Sequence, residues 1–163
     1  MTRLFAALRS LVYAAGFVFL WGWLALVVRE RFERGQLGAG WRAVGASLMV
    51  AGGAVVLWCF LSFVLVGRGT PAPFDAPRRL VPTGPYRWVR NPMYLGAFTV
   101  LAGFGLWHRS LAMVLFVVPV ALLFHAFVLF YEEPTLTRRF GDEYAAYRAR
   151  VKRWLPQKPR SAS

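Results

Sequence analysis

One stretch of the sequence sets the arrangement of the rest: Gly84-Pro85-Tyr86-Arg87-Trp88-Val89-Arg90-Asn91-Pro92-Met93-Tyr94-Leu95-Gly96. It gathers arginine and aromatic side chains in a polar loop, and this loop leads directly into an apolar segment that begins near Pro92. A simple connector would instead be rich in Gly, Ser and Pro with scattered charge. The stretch therefore indicates a ligand site at the edge of a membrane.

The composition of the chain is that of a membrane protein. Of its 163 residues, 58% are hydrophobic and 17% are aromatic, which is too apolar for a soluble domain. The net charge of +13 falls between long apolar runs, so nucleic-acid binding is not expected. Cys59 is the only cysteine and lies in an apolar run, which excludes a disulfide framework and a thiolate metal site. No metal is expected.

Four apolar runs predict a single all-α membrane domain over residues 1–163, with about four transmembrane helices. The runs cover residues 11–28, 44–66, 92–107 and 111–131. At about 1.5 Å of rise per residue, helices of this length approach the ~30 Å thickness of the hydrocarbon core. The turn over 108–110 is short, so the last two runs are expected to form a helical hairpin.

Glycines in the second run offer one further expectation about packing. Gly45, Gly52 and Gly53 could allow another helix to approach closely, as small residues do in membrane helix pairs. Ordinary membrane-helix glycine is the alternative interpretation.

The distribution of basic residues predicts the orientation of the chain. Four spans place the N-terminus, the loop over 67–91 and the C-terminal tail on one side of the membrane, and this side carries most of the 20 Lys and Arg residues. The positive-inside rule therefore predicts a multi-pass protein whose loop and C-terminus are cytoplasmic. The prolines of the loop exclude a helix through most of it; they are Pro71, Pro73, Pro77, Pro82 and Pro85.

The tail over 134–155 has apolar residues at every third or fourth position and many arginines between them. This pattern predicts an amphipathic helix that lies on an anionic membrane surface and is bent near Gly141. Membrane anchoring alone would account for such a helix.

Two adjacent acids, Glu132 and Glu133, end the second arm of the hairpin. They repel one another, and the helix macrodipole disfavours negative charge at this end, so they need cations. The hairpin brings the start of its first arm close to them. Four side chains are therefore expected beside the acids: Arg87, Arg90, Asn91 and Tyr94.

Two interpretations fit this arrangement. In the first, an Arg and Glu pair only locks the hairpin. In the second, the residues bind a zwitterionic, cationic ligand, because carboxylates suit an ammonium group, arginine suits a carboxylate and aromatic faces suit an onium centre. S-adenosylmethionine has all three groups, whereas a phospholipid headgroup or an amino acid would satisfy much of the same pattern.

Two blocks of sequence resemble the isoprenylcysteine carboxyl methyltransferase and phospholipid methyltransferase superfamily. The first block is the stretch from Gly84 to Gly96, and the second is Glu132-Glu133-x-x-Leu136 followed by Phe140-Gly141-x-x-Tyr144-x-x-Tyr147-x-x-x-Val151. The resemblance covers roughly residues 78–156. It implies a helical membrane methyltransferase that binds S-adenosylmethionine at its cytoplasmic face and takes a lipid-like or prenylated acceptor from the bilayer.

The resemblance also implies the roles of individual residues. By position, the cofactor contacts fall on Arg79, Leu80, Val81, Tyr86, Asn91, Pro92, Met93, Tyr94 and Glu132. Arg90 and Glu133 are the expected catalytic residues: Arg90, or Arg87 in its place, as a cation for a substrate carboxylate, and Glu133 for positioning or accepting the proton of an amine. His125 lies about two turns before Glu132 on the same face, and a histidine satisfied by a neighbouring helix is the simpler interpretation of it.

Two positions depart from the pattern of the superfamily. Asn91 stands where histidine is frequent, and asparagine cannot titrate near neutral pH. Val128 stands where the eukaryotic isoprenylcysteine enzymes carry an arginine for the substrate carboxylate. The acceptor group, carboxylate, amine or thiol, therefore stays open.

Isoprenylcysteine-type carboxyl O-methylation is the first expectation for the function. The alternatives are N-methylation of a phospholipid amine and a non-catalytic membrane scaffold. A small transporter is less favoured, because the apolar runs contain no acidic residue to carry a coupling ion.

Overall fold

The computed structural model describes residues 3–63, 65 and 80–157, with the backbone alone for residues 3–11, 13 and 14. This part of the chain folds into α-helices joined by short turns. The helices are α1 (Arg3–Phe32), α2 (Trp41–Ser62), α3 (Pro92–Trp107), α4 (Leu111–Phe127) and α5 (Glu133–Arg150). A 3-10 turn (Gly84–Arg87) precedes α3, and a π turn (Val128–Glu132) joins α4 to α5. Most of the loop predicted over 67–91 lies outside the described residues.

The predicted hairpin is confirmed. Helix α3 has the predicted bounds, and α4 begins at Leu111, where the Ser110 hydroxyl accepts a hydrogen bond from the Met113 backbone N–H and caps the helix. Helices α1 and α2 begin before their apolar runs, since polar residues at a membrane edge continue a helix until glycine or proline ends it. Among the described helices, α2 and the continuous path of α4 and α5 are long and apolar enough to cross a membrane, and α3 is a shorter apolar helix.

Helix α3 lies at the centre of the packing, with α2 on one side and α4 on the other, and α1 packs mainly on α4. Aromatic rings fill the contact between α1 and α4: the ring centroid of Trp21 is 6.2 Å from that of Phe116 and 5.6 Å from that of Phe124. The apolar core follows from this order. Its buried members are Ala25, Leu101, Met113 and Val120.

The backbones of α2 and α3 touch at two pairs of glycines. A Cβ atom on Gly52 would lie 2.6 Å from the Gly96 carbonyl oxygen, and one on Gly45 would lie 2.6 Å from that of Gly103. The pairs are about two helical turns apart on each helix, so the close approach extends along both. The expectation is confirmed for Gly45 and Gly52. It is wrong for Gly53, because no atom of a neighbouring helix in the described residues lies within 4 Å of where its Cβ would stand.

The 3-10 turn is held against the end of α2. Gly84 has a positive φ of 59°, and a Cβ atom there would lie 2.7 Å from the Ser62 hydroxyl oxygen. Beside it, the Tyr86 ring meets Phe63 edge to face with centroids 5.3 Å apart. The turn therefore delivers the chain to the start of α3 in one fixed position.

The predicted amphipathic helix and its bend are confirmed in α5, where Gly141 has φ 49° and ψ −123°. Its apolar residues pack against the protein: Tyr144, Tyr147 and Val151 are buried together with Leu80 beside them. Because these residues pack on the protein, they do not place α5 on a membrane surface. That position stays a prediction, and the basic residues of the outer face of α5 are the feature that supports it.

The helix also ends earlier than expected. It stops at Arg150, and Val151 is extended with φ −123° and ψ 126°. Residues 151–157, named here the strap, leave the helix and run back along Trp88 to Asn91. The sequence predicted helix to 155 because apolar residues continue at helical spacing into this segment.

The glycine contact gives a prediction with a matched control. Gly52→Ala is expected to lower the thermal unfolding midpoint of the detergent-purified protein, because its methyl group meets backbone atoms of α3 that cannot rotate away. Overpacking of this kind costs about 1–3 kcal/mol.

Gly53→Ala makes the same change one residue along the same helix but toward open space. The higher helix propensity of alanine should leave stability unchanged or raise it by up to about 1 kcal/mol. Equal unfolding midpoints for the two variants would contradict the close contact between α2 and α3.

Candidate functional site

Glu132 and Glu133 lie where the apolar run of α4 gives way to the polar α5. The π turn over Val128–Glu132 stands at this junction, so the helix changes its winding directly before the second acid. Such turns occur mostly at functional sites, because the extra residue redirects the side chains that follow. The two carboxyl groups consequently find different partners.

Glu133 is buried and fully paired. The Arg153 guanidinium donates to both of its oxygens, with Nε 2.7 Å from Oε1 and Nη2 2.9 Å from Oε2, and Arg90 Nη1 lies 3.1 Å from Oε1. Burial alone would raise the pKa of Glu133, but the hydrogen bonds from Arg153 and the charges of Arg90, Arg153 and Arg148 lower it overall. The carboxylate is therefore ionised and holds two cations in place.

Glu132 has a single described partner, a neutral one. The Tyr94 hydroxyl donates to its Oε2 at 3.0 Å. Burial raises the pKa of Glu132, the hydrogen bond from Tyr94 opposes this effect, and the charge of Glu133 adds to it. Among the described residues, the cations go to one acid and not to its neighbour. Glu132 is thus a carboxyl group that a bound cation would stabilise.

Arg90 has donors to spare beside these acids. Its side chain is 10% exposed, and its Nε atom has no hydrogen-bond partner among the described residues. Its Nη1 atom is close to Glu133 but out of hydrogen-bond alignment. A buried guanidinium with unpaired N–H groups is suited to binding a carboxylate. The site therefore offers one group for a cation and one for an anion.

Aromatic rings lie next to the Glu132 carboxyl group. The Tyr94 ring centroid is 5.1 Å from that of Phe124 and 6.5 Å from those of Phe98 and Trp154. These rings are partly exposed. In the same described region, no group of three His, Cys, Asp or Glu residues is placed to hold a metal ion.

The remaining predicted site residues lie either at the start of α3 or close to α5. Asn91 is buried and donates from Nδ2 to the Arg153 carbonyl oxygen at 3.2 Å. Pro92 is buried as the first residue of α3, and Met93 follows it, partly buried. The structure therefore brings Arg90 and Tyr94 to the two acids, as expected, whereas the described contact of Asn91 is with the Arg153 backbone.

The other predicted contacts lie closer to α5. Val81 is buried, Leu80 packs on the Tyr144 and Tyr147 rings, and the Tyr86 carbonyl oxygen accepts a hydrogen bond from the Tyr147 hydroxyl at 2.8 Å. Arg79 lies outside the described residues. The Arg87 side chain is exposed, and no described ion pair joins it to either acid, so the expectation that it lies beside them is wrong.

The sequence did not predict the strap or the contacts that its residues Arg153 and Trp154 make. Arg153 is the bidentate partner of Glu133, and the Trp154 indole N–H donates to His125 Nδ1 at 2.8 Å. His125 is thus satisfied by the strap and not by a neighbouring helix. Two features of the sequence could have indicated these contacts. One is the tryptophan in the short segment that ends at Pro156, and the other is the pair of adjacent acids, of which Arg90 could neutralise only one.

The Glu133 pair gives a second prediction. Glu133→Gln is expected to lower the free energy of unfolding by about 3 kcal/mol, because it leaves the buried Arg90 without a counter-ion. The measurement is thermal or denaturant unfolding in detergent. Glu143→Gln, an exposed acid on the same helix, is the control and should have little effect. Similar losses in both variants, or none in either, would mean that the pair does not hold the site together.

Comparison with known proteins agrees with this geometry. Residues 41–143, well over half of the chain, match the family described as phospholipid methyltransferase. The chain is also similar to an uncharacterized protein of Haemophilus influenzae, with 36% identity over 63 residues, which are 39% of this chain and the whole of that protein. The family match includes α2, the 3-10 turn, the hairpin and both glutamates. The chain therefore belongs to the phospholipid methyltransferase family, a part of the superfamily of integral membrane methyltransferases.

Proposed function

We propose that this protein transfers a methyl group from S-adenosylmethionine to a lipid acceptor that enters from the bilayer. The observation that carries the proposal is the unequal pairing of two adjacent acids. Glu133 has two guanidinium partners, whereas the one partner of Glu132 among the described residues is the Tyr94 hydroxyl. A half-buried carboxyl group with no described cation, beside an arginine with unpaired donors in the same part of the chain, is suited to a zwitterion.

The side chains fit the methionine part of this cofactor. Glu132 would hold its ammonium group, and the unpaired Nε of the buried Arg90 would face its carboxylate. Tyr94 would keep the Glu132 carboxyl group in position through its hydroxyl. Leu80, Val81, Tyr86, Asn91, Pro92 and Met93 are proposed contacts for the rest of the cofactor, as is Arg79. When bound, S-adenosylmethionine supplies an electrophilic methyl group; the acceptor's lone pair forms the new bond as the sulfur–methyl bond breaks.

The two residues expected to be catalytic act in this proposal by positioning. Glu133 is saturated by two guanidinium groups and its pKa is lowered, so it is a poor acceptor for a proton. It acts instead by holding Arg90 at the base of the site. Aligning donor and acceptor is the main requirement of methyl transfer, and a rigid ion pair meets it.

A phospholipid amine is the acceptor that we favour. The family carries the name of this substrate class. In addition, Val128 is 1% exposed, so the position that carries arginine in the eukaryotic isoprenylcysteine enzymes offers no cation to a substrate carboxylate here. Carboxyl O-methylation of a prenylated cysteine is the second candidate, and the spare donors of Arg90 are the observation in its favour.

The proposed membrane arrangement has four spans. Helix α1 is 30 residues long and packs on α4, while α3 is tied to α2 by the glycine pairs. We propose that all four cross the bilayer, with the glutamates, the strap and the C-terminus on the cytoplasmic side. The cofactor would then reach the site from the cytoplasm and the acceptor from the lipid.

Cofactor binding tests the proposal without knowledge of the acceptor. Titration calorimetry of the detergent-purified protein with S-adenosylhomocysteine is expected to show saturable binding. Glu132→Gln should weaken this binding by about 10- to 100-fold, the value of a lost charge-assisted hydrogen bond. Tyr94→Phe, which removes only the hydroxyl group, should weaken it less.

The unfolding midpoint separates this proposal from a non-catalytic scaffold. Because a half-buried carboxyl group with no described cation is costly, Glu132→Gln should leave the stability of the ligand-free protein unchanged or raise it. A scaffold locked by its acids would lose stability in this variant. Absence of binding to the folded wild-type protein would remove the methyltransferase proposal.

A further inference from the structure

The strap is fixed along the segment that leads into α3. Three hydrogen bonds hold it there: Arg90 N–H to the Lys152 carbonyl oxygen at 2.9 Å, Asn91 Nδ2 to the Arg153 carbonyl oxygen at 3.2 Å, and Gln157 N–H to the Trp88 carbonyl oxygen at 2.9 Å. The ion pair of Arg153 with Glu133 adds a fourth tie. The one aromatic side chain of the strap, Trp154, is therefore delivered to a defined place.

That place is beside Tyr94, the residue that contacts Glu132. The Trp154 ring centroid is 6.5 Å from that of Tyr94 and 6.4 Å from that of Phe98, with interplanar angles of 51° and 36°. The indole N–H donates to His125 Nδ1, which fixes the rotation of the ring. All three aromatic rings keep some exposed surface. Tyr94 and Phe98 lie nearly parallel, with an interplanar angle of 19°, and Trp154 is tilted against both, so the three rings form a wall that is angled at the indole.

The wall lies on the α4 side of Glu132, away from α5. His125 precedes Glu132 by about two turns of helix, roughly 10 Å along the axis, and Trp154 reaches it there. A ligand whose ammonium group pairs with Glu132 would extend the atoms beyond that group along these rings. In S-adenosylmethionine the sulfonium sulfur follows three carbon atoms after the ammonium nitrogen.

We infer that Trp154, together with Tyr94 and Phe98, binds the sulfonium centre of the cofactor through cation–π attraction, and that His125 positions the indole for this contact. The inference rests on the proposed function. Aromatic faces attract a cation without supplying a lone pair that the methyl group could alkylate, whereas a carboxylate in the same place would itself be a competing acceptor. The wall thus combines affinity for the charged donor with chemical inertness.

A comparison of two ligands isolates this contact. S-adenosylmethionine and S-adenosylhomocysteine differ only in the transferred methyl group and its positive charge, and their affinities can be measured by calorimetry without an acceptor. Trp154→Leu is expected to weaken the binding of S-adenosylmethionine by about 5- to 20-fold, in the range of a desolvated cation–π contact. Its effect on S-adenosylhomocysteine should stay within about 3-fold, since that ligand lacks the charge.

Two further variants complete the experiment. Trp107→Leu makes the same change at an exposed tryptophan at the far end of α3 and should leave both affinities unchanged. Trp154→Phe keeps an aromatic face without the bond to His125 and should lie between the wild-type protein and Trp154→Leu. This variant also carries the test if the leucine variant fails to fold.

Each alternative outcome has a distinct meaning. Equal weakening of both ligands by Trp154→Leu would show that the ring only packs, and tighter binding of S-adenosylhomocysteine would show that it blocks the site; either result overturns the inference. Unchanged affinities for both ligands in Trp154→Leu also overturn it, while leaving the proposed function intact. Failure of the wild-type protein and of Trp107→Leu to bind either ligand would overturn the proposed function itself.

Discussion

The structure depends on the need to neutralise two adjacent carboxyl groups at the end of a membrane helix. Burial makes an unpaired charge costly, and repulsion between the neighbours adds to the cost. Glu133 is satisfied by Arg90 from the segment before α3 and by Arg153 from the strap, so one carboxylate ties together segments that are distant in the chain. Within the described part of the chain, Glu132 receives only a hydroxyl group. The ion pairs of Glu133 therefore hold the segments together, and Glu132 is the acid that we propose as the cation-binding group.

Several features outside the ion pair hold this arrangement in register. The glycine contacts fix α3 against α2, and α3 in turn carries Tyr94 to its place opposite the π turn. The apolar face of α5 packs inward on the Tyr86 region, which closes the site from the polar side. Together with the strap, these contacts leave the α4 side of Glu132 lined by partly exposed aromatic rings.

Much of the fold could be read from the sequence, because apolar runs and their lengths carry a strong signal. The lengths of the apolar runs give the bounds of α3 and of the hairpin. The short turn between the two arms then brings Arg90 and Tyr94 to the two acids. The strap did not follow, since an irregular segment has no periodicity and its apolar residues continue the helical spacing of α5. For the same reason the choice of Arg153 among the many arginines of the tail was not predictable. The inward packing of α5 was missed because an amphipathic pattern does not say whether lipid or protein covers its apolar face.

The central claim, methyl transfer to a membrane lipid, is tested most directly with the protein in vesicles that contain phosphatidylethanolamine and a prenylated cysteine, and with S-adenosylmethionine labelled in its methyl group. The account predicts label in the extracted lipid that resists mild base, because N-methyl groups are stable there, and its loss in Glu132→Gln. Label released by base as methanol would identify a carboxyl ester and move the acceptor to the second candidate. Folded protein that binds S-adenosylhomocysteine yet puts no label into any lipid fraction would contradict the account.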